Sequence, residues 1–498
     1  MSDVGAPQGE TQVTGFAAAL TIVAMALGCA VVLGDLVMLS ANLATVQRGL
    51  HCSPGTTIFI GCLATVTLAA AVLGAGVLGD RYGMKRMFVL GAAGAIVFGL
   101  LAAAAPNTMV LMIARGCVGV AFAFLSSLSL AIINAVFPPD RRAMAIARYL
   151  AAVYVLGLVP PVAGGFLVDH IGWRSGFLIT PFLAAVALMI TVRWVPETQR
   201  SHRKVDLPGV LVVAVALIGL IFGISQLQNG FHPTTIASIV VGILTAAVFV
   251  WWERRTDEPA LDLRLFRSRR FNAAVLVGAA GNLVQGAAMI MATYHLVIIR
   301  GTPIEQFAML LVPATLLAAL AALGAGWATV QFSARAVLVA GLTVLTVSLL
   351  VRQLFDADTP IVVVAAVMAL TSIGGAIVQT PQTTIMMSSA PTDLGGVVAA
   401  VKASVAGTFY SLGSAVAALL GVALFAGNSR LADAGIDARQ ARDALRAADA
   451  ADPQLVSVAA SAMMDTAHTL NVIMAVVPMA AIALAALLLR RESHEMPR

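Results

Sequence analysis

Charged side chains are scarce in this sequence of 498 residues. Asp, Glu, Lys and Arg together make up 11% of it, whereas they make up about 25% of a typical soluble domain. Apolar residues account for 60%, and the mean hydropathy is +0.95. They form continuous runs of about twenty residues, which suit membrane-spanning helices and exclude the alternating pattern of a transmembrane barrel. The composition therefore predicts an all-α polytopic membrane protein.

Cysteine and the common catalytic motifs are equally sparse. Three of the four cysteines, Cys29, Cys62 and Cys117, lie in apolar runs and Cys52 lies in a loop, which offers neither a disulfide framework nor a metal site. The sequence contains no Gly-x-x-x-x-Gly-Lys-Ser/Thr loop for a nucleotide phosphate and no Ser/His/Asp cluster. We therefore expect neither an enzyme nor an ATP-driven pump, and no cofactor or metal.

The apolar runs predict fourteen membrane spans. The first run is too long for the core of a signal peptide, so it is expected to remain as a span. An even number of spans puts both termini on the same side of the membrane. The predicted spans are 16–46, 55–79, 87–105, 108–136, 143–167, 174–195, 207–228, 234–252, 272–299, 304–330, 335–354, 360–388, 395–426 and 466–489.

The loop charges choose that side. Most of the 30 Lys and Arg residues lie in alternate loops and in the C-terminal tail, and such loops face the cytoplasm. Both termini are thus predicted to be cytoplasmic. The pI near 9.5 reflects this topology, so no nucleic-acid partner is expected.

The order of spans suggests two halves of six with two additional spans between them. The connection 253–271 is the most basic loop and the natural boundary between the halves. Within the long outer loop, the Ala, Asp and Arg pattern of residues 437–443 favours a surface helix. The expected parts are a cytoplasmic N-terminus (1–15), a six-helix bundle (16–196), a linker with two spans (197–252), the basic connection (253–271), a second bundle (272–490) with an extracellular loop (427–465), and a tail (491–498).

The loop between the second and third spans is the most informative motif. Its glycines allow a neighbouring helix to approach closely, and its acid can cap the N-terminus of a facing helix. Its basic residues hold it in the cytoplasm. We expect the acid, Asp80, to pack near Gly395 and Gly396. The residues concerned are Gly76, Gly79, Asp80, Arg81, Gly83, Lys85 and Arg86.

This loop resembles the G-x-L-a-D-R-x-G-r-K pattern of the major facilitator superfamily. Met84 stands where that family usually has a basic residue. The resemblance implies that the loop is a conformational gate between the two halves of a transporter.

Asp35 is the sole acid deep within a predicted span. A carboxylate in lipid costs at least about 2.5–3.5 kcal/mol, so it usually faces a cavity or a partner. On a helix, Gly28, Asp35 and Asn42 share one face. Residues 34–43 resemble the family segment L-D-x-T-I-V-N-V-A-L-P, which implies that Asp35 carries the coupling proton. The alternative is a neutral Asp with a structural hydrogen bond.

Arg115 lies within the fourth span, in a segment that resembles the family motif l-x-x-R-x-x-q-G-x-g. An arginine stays charged and needs an acid, carbonyls or water beside it. Asp35 is its natural partner, and the resemblance links the Arg to proton coupling. The alternative is an Arg that only ties helices together.

The fifth span contains Pro160, Pro161, Gly164 and Gly165. Proline and small residues are expected to kink the helix and to permit close packing. The segment resembles the antiporter signature g-x-x-x-G-P-x-x-G-G, with Pro160 in place of a glycine.

Other polar residues within spans are candidates for lining a substrate cavity, or they bridge helices. They are Asn42, Asn134, Asn282, Gln285, Gln379 and Gln382. Lys402 either extends its ammonium group to the cytoplasmic face or lines the cavity, where it would disfavour cationic substrates. His295, near the outer end of the ninth span, is expected at the interface, with a proton relay as the alternative.

The connection 253–271 also resembles the segment before the ninth span of the fourteen-span drug/proton antiporters. Together these resemblances imply export of lipophilic, cationic small molecules, driven by the proton-motive force. The expected partners are the substrate, protons and membrane lipid, with a monomer in the inner membrane of a bacterium. A dedicated exporter of one metabolite, antibiotic or lipid, and a membrane sensor or scaffold without transport, are the alternatives.

Overall fold

The structure is a computed structural model, and it is helical throughout the part of the chain that it describes. Two short 3-10 turns and one π-helix accompany the α-helices of that part. The described residues are 15–198, 200, 206–226, 232–256, 261, 263–302, 304–356, 358–389, 391, 394–446 and 452–489.

Eight α-helices form the first half of the described chain, and they pack mainly against one another. Two of them begin at polar caps, because the Ser53 and Asn107 side chains accept hydrogen bonds from backbone N–H groups of the first turn. The helices are α1 (Gly15–Leu50), α2 (Pro54–Tyr82), α3 (Met84–Ala103), α4 (Thr108–Val136), α5 (Pro139–Leu156), α6 (Val159–Ile171), α7 (Trp173–Gly176) and α8 (Ile179–Trp194).

The fifth predicted span is broken into α5 and α6 at Gly157 and Leu158. Pro160 and Pro161 follow directly in the first turn of α6. Proline has no N–H group to continue the ladder of the preceding helix, so the break falls in the turn before it. The predicted kink is confirmed.

Two further helices, α9 (Leu207–Gln226) and α10 (Pro233–Glu253), form a hairpin. Their backbones approach closely where Gly219 faces Gly242. Below that contact, Trp252 Nε1 donates a 2.9 Å hydrogen bond to Asp206 Oδ2. The hairpin packs through α9 against α2 and against the helix Gly395–Ala426 of the second half, and α9 therefore covers the seam between the halves.

The second half contains α11 (Arg269–Thr293), which continues as a π-helix (Tyr294–Ile299), and α12 (Ile304–Gln331), α13 (Ala334–Val351), α14 (Ile361–Ser388), α15 (Gly395–Ala426), α16 (Ser429–Asp433), α17 (Ala438–Arg446) and α18 (Pro453–Leu488). In the described residues, thirteen helices are long and apolar enough to cross a membrane, and Pro208–Ile224 is a shorter apolar helix. These observations fit the predicted polytopic architecture.

The outer loop is shorter than the predicted 427–465, because α18 already begins at Pro453. The Asp452 side chain caps this helix by accepting a hydrogen bond from Gln454 N. The first turns of α18 are amphipathic and bury Ala459 and Met463 against α16 and α17. They lack the continuous apolar run from which the spans were predicted, so the predicted span began later than the helix does. The helix that was expected around residues 437–443 is α17.

Candidate functional site

A buried ion pair lies at the centre of the first half. Arg115 Nη1 on α4 donates a hydrogen bond of 2.8 Å to Asp35 Oδ2 on α1, and both side chains are 1% exposed. Thr180 Oγ1 on α8 donates a second bond of 2.8 Å to Asp35 Oδ1. Each carboxylate oxygen thus has a donor from a different helix, and the carboxylate joins α1, α4 and α8.

Apolar side chains surround this pair. The Phe177 ring lies 5.9 Å from the Arg115 guanidinium carbon, and Arg115 Nε and Nη2 have no hydrogen-bond partner in the described structure. A buried cluster beside the pair includes Leu39, Leu111, Trp173 and Phe177. In such a medium a buried charge is stable only beside an opposite charge, so Asp35 and Arg115 stabilise each other as a pair.

The proline and glycine motif of α6 packs against α1 next to Asp35. A side chain at Gly34 would collide with the ring of Pro160, and one at Gly164 would approach Met38 Cγ to 2.6 Å. Gly165 has no neighbour within 4 Å of the place that a Cβ would take. The close contact with α1 therefore needs Gly34 and Gly164, whereas Gly165 takes no part in it.

Asp80 joins the two halves. Its Oδ1 accepts a 2.8 Å hydrogen bond from Gly396 N, and its Oδ2 accepts a 3.0 Å bond from Val397 N. The carboxylate thus caps α15, where the positive end of the helix dipole also favours it. A Cβ on Gly76 would lie 2.5 Å from the Gly396 carbonyl oxygen. The predicted neighbourhood of Asp80, beside Gly395 and Gly396, is confirmed.

The rest of this loop is tied to the end of α8. Gly83 adopts φ +105°, a conformation that glycine tolerates and that lets α3 begin at the next residue. Met84 N donates to Thr198 Oγ1 at 3.1 Å, and Lys85 Nζ donates to the Val192 carbonyl at 3.1 Å. Lys85 thus caps the C-terminus of α8, where a cation is favoured.

The basic residues of the loop take different positions. Arg86 pairs with Glu197 at 3.3 Å, while Arg81 is half-buried. Met84, at the position that departs from the family pattern, is buried. The link from this loop to the end of α8 therefore comes from the Lys85 and Arg86 side chains and from the Met84 backbone.

A model of the Major Facilitator Superfamily matches residues 23–418, a range that contains Asp35, Asp80, Arg115 and the α6 motif. The chain belongs to this superfamily. It is accordingly a multi-pass membrane transporter and not an enzyme.

Relatives of this superfamily member carry names that refer to drug resistance. The multidrug resistance protein Stp of Mycobacterium tuberculosis is 28% identical, over 81% of this chain and 77% of that protein. The tetracenomycin C resistance and export protein of Streptomyces glaucescens is 27% identical, over 80% and 75%. The multidrug efflux pump LfrA of Mycolicibacterium smegmatis is 26% identical, over 77% and 76%.

Solved structures confirm the fold. The human organic anion transporter MFSD10 aligns with a TM-score of 0.59 and 14% identity, over 93% of this chain and all of that one. The proton:xylose symporter XylE aligns with a TM-score of 0.56 and 14% identity, over 92% and 94%. The chain therefore has the major facilitator fold.

The polar residues of the second half lie between α11 and α14 of the transporter. Gln379 Nε2 donates to Asn282 Oδ1 at 3.5 Å. Gln382 is buried against Gly278, and Gln285 lies against α14. These contacts bridge the two helices, which is one of the two roles predicted for them.

In the first half, Asn134 is buried on α4 and its Oδ1 has no partner among the residues described. Asn42 donates to the carbonyl oxygen of Met38 at 2.8 Å, within α1. No group of three His, Cys, Asp or Glu residues that could hold a metal occurs in the described part of the chain.

Lys402 lies on the seam between the halves. It is about two turns into α15 and within electrostatic range of the Cys29 thiol on α1. Cys29 lies beside Tyr149 on α5, which in turn lies beside Ser129 on α4. Lys402 therefore lies across the seam from α1 of the first half.

Three residues of these sites were missed or misplaced by the sequence. Thr180 drew no attention, although a Thr-Pro pair within an apolar run was a signal. Arg352, near the outer end of the predicted span 335–354, was not singled out by the sequence, yet it is 5% exposed inside the second half. His295, expected at the interface, is 4% exposed within the π-helix.

Proposed function

We propose that this transporter exports lipophilic small molecules, with cationic ones as the default class, in exchange for protons. The observation that carries this proposal is the buried Asp35–Arg115 ion pair, in which Thr180 donates a second hydrogen bond to the Asp35 carboxylate. The names of the relatives support the direction of transport, and the packing of α9 and α10 as an additional hairpin supports a fourteen-span antiporter.

Protonation of Asp35 is the step that would couple the proton gradient to motion. A proton on Oδ2 replaces the ion pair by a neutral carboxyl group and leaves Arg115 charged without its partner. Removal of one member of a buried pair costs about 3–5 kcal/mol. The Arg115 side chain must then find new acceptors or water, and α1 must shift relative to α4 and α8.

Motion of α1 has a direct route to the α6 motif. Gly34, next to Asp35, packs on Pro160, and Met38 packs on Gly164. A shift of α1 by a fraction of a helical turn changes both contacts. We therefore assign the break between α5 and α6 to the transmission of the protonation step.

The Asp80 contact fits one end state of alternating access. With Asp80 bound to the N-terminus of α15, the halves are closed at this end, which the charge pattern puts at the cytoplasm. Rocking of the halves would break both hydrogen bonds and give the opposite state, in which this end is open. Both termini then lie in the cytoplasm, and the substrate site lies near the midplane.

Lys402 favours a second candidate, the dedicated exporter of one anionic or zwitterionic compound. It lies within electrostatic range of Cys29, across the seam. A fixed positive charge at that place would disfavour a cationic ligand and attract a carboxylate or phosphate.

The test is substrate-induced proton release from the purified protein in liposomes, measured against a panel of cationic, anionic and neutral lipophiles. We expect release with at least one compound class, and its loss in Asp35→Asn. The matched control is Asp140→Asn, because the Asp140 side chain is 73% exposed. Export that follows the pH gradient unchanged in Asp35→Asn would overturn the proposal.

A further inference from the structure

The second half contains a small cavity that plays no part in the proposed coupling. It lies between α11 with its π-helix, the turn that follows α13, α14 and α18, at the end of the bundle opposite to Asp80. The volume of the cavity is ≈ 20 Å³. The polar residues of its wall are His295, Arg352, His468 and Asn471.

Arg352 is the charged group of this cavity. Its Nη1 donates to the Ala288 carbonyl at 3.2 Å and its Nη2 donates to Thr371 Oγ1 at 3.1 Å. Thr371 in turn contacts Ser348 at 3.1 Å. Every one of these acceptors is neutral, and Nε has no partner in the described residues. The guanidinium charge is therefore solvated by dipoles but not balanced.

The nearby acids are engaged elsewhere. Asp356, the acid within electrostatic range of His295, is exposed and accepts 2.8 Å and 3.1 Å hydrogen bonds from Thr359 Oγ1 and Asp358 N. Asp465 on α18 pairs with Arg430 at 2.5 Å. The other charged or titratable groups that face His295 are Arg300, Arg352 and His468. The local charge is thus predominantly positive.

The two halves differ in this respect. In the first half, a buried arginine is balanced by Asp35 at 2.8 Å. In the second half, no ion pair of Arg352 is found over the described residues. An unbalanced buried charge costs several kcal/mol, and a mobile anion from solution removes that cost.

The cavity also offers donors for such an ion. His295 Nε2 is buried without a partner in the described chain, and it donates in one tautomer. The Asn471 side-chain oxygen is likewise unpartnered, and a half-turn of this amide presents its NH₂ group instead. Arg352 Nε supplies a third N–H group. Three such donors around one space are suited to a spherical anion.

We propose that this cavity binds one small monovalent inorganic anion of about the size of chloride. The cavity volume of ≈ 20 Å³ exceeds the volume of about 10–15 Å³ that one water molecule needs. It leaves no room for an organic acid or a drug. The ion balances Arg352 and fixes α11, α13, α14 and α18 relative to one another.

The test is the thermal stability of the full-length protein in detergent, at fixed pH and ionic strength, while sodium gluconate is replaced by sodium chloride or bromide. We expect a saturable rise of Tm with either halide and none with sulfate. Arg352→Gln should raise the halide concentration that gives half of the Tm increase (the halide midpoint) at least tenfold, which corresponds to about 1.4 kcal/mol of binding free energy. The matched control is Arg439→Gln, an exposed arginine at the same end of the bundle, which should behave as the parent does.

A second measurement makes the test independent of the folding of Arg352→Gln. Crystals of the parent grown in bromide should show an anomalous peak within hydrogen-bond distance of Arg352. Water alone at this place, or equal Tm values in chloride and gluconate, would overturn the proposal. So would an unchanged halide midpoint in Arg352→Gln. None of these outcomes depends on whether the protein exports drugs.

Discussion

The Asp80 carboxylate on α2 accepts a 2.8 Å hydrogen bond from the backbone N–H group of Gly396 on α15. One acid of the first half thus caps a helix of the second half. The contact is this close because Gly76 and Gly396 lack side chains, since a Cβ on either would lie 2.5 Å from a backbone oxygen of the other. This contact between the halves depends on one carboxylate and two glycines.

Asp80→Ala is expected to open this end of the protein. It removes two hydrogen bonds to a charged acceptor, each of which contributes about 1.5–3 kcal/mol. Cys29 on the seam is the reporter, in a background where Cys52, Cys62 and Cys117 are serine. We expect its labelling by a membrane-impermeant thiol reagent, applied from the Asp80 end, to accelerate at least tenfold.

The control for this experiment is Asp140→Ala, which removes an exposed acid from the first turn of α5. Gly76→Ala should act like Asp80→Ala, because its new methyl group would push Gly396 away without any change of charge. Equal labelling rates in the parent and Asp80→Ala would show that the capping contact does not hold this end closed.

The two glycines of the α6 motif should respond differently to alanine. Gly164→Ala places a methyl group 2.6 Å from Met38 Cγ, and overpacking of this kind costs about 1–3 kcal/mol. Gly165→Ala meets open space and gains helix propensity, up to about 1 kcal/mol. Thermal unfolding in detergent should therefore give a lower Tm for Gly164→Ala and an equal or higher Tm for Gly165→Ala. A reversed order would contradict the packing of α6 on α1.

Asp35 and Arg115 should show strong energetic coupling in a double-mutant cycle. Asp35→Asn leaves the Arg115 charge unpaired, and Arg115→Gln leaves the carboxylate unpaired. Each single change should destabilise the protein by about 3–5 kcal/mol at neutral pH. The double variant removes both charges, so it should be more stable than the sum of the single effects predicts.

Unfolding free energies of the four proteins in one detergent measure this coupling. The transport readout separates stability from function, since the double variant should recover stability but not proton-driven export. Additive effects on stability would mean that the pair seen at 2.8 Å is not an ion pair in the membrane protein.

Lys402→Met distinguishes the two substrate classes. With the ammonium group on the seam, its removal should tighten the binding of a cationic lipophile and weaken that of an anionic one. We expect each binding affinity to change about tenfold, which corresponds to about 1.4 kcal/mol. The measurement is the affinity of one ligand of each sign for the parent, for Lys402→Met and for the distant control Arg439→Gln. Unchanged affinities for both ligands would favour a lysine that extends to the cytoplasmic interface.

The sequence by itself determined the class of the protein and both residues of its buried ion pair. So much apolar sequence cannot fold in water. A charged residue such as Asp35 or Arg115 within an apolar run is energetically costly, so it indicates a partner or a functional role. The break at Pro160 was also predictable, because a missing N–H group is a local property. The place of Asp80 followed from the charge preference of a helix N-terminus.

Only the tertiary structure decided which polar residues complete these sites. A threonine such as Thr180 costs little in a membrane helix, because its hydroxyl can bond to its own backbone, so the sequence did not single it out. Arg352 stands at a helix end, where its long side chain can turn outward to water or inward to the bundle. The packing of α11, α13, α14 and α18 directs it inward, and that choice depends on neighbours far away in the chain.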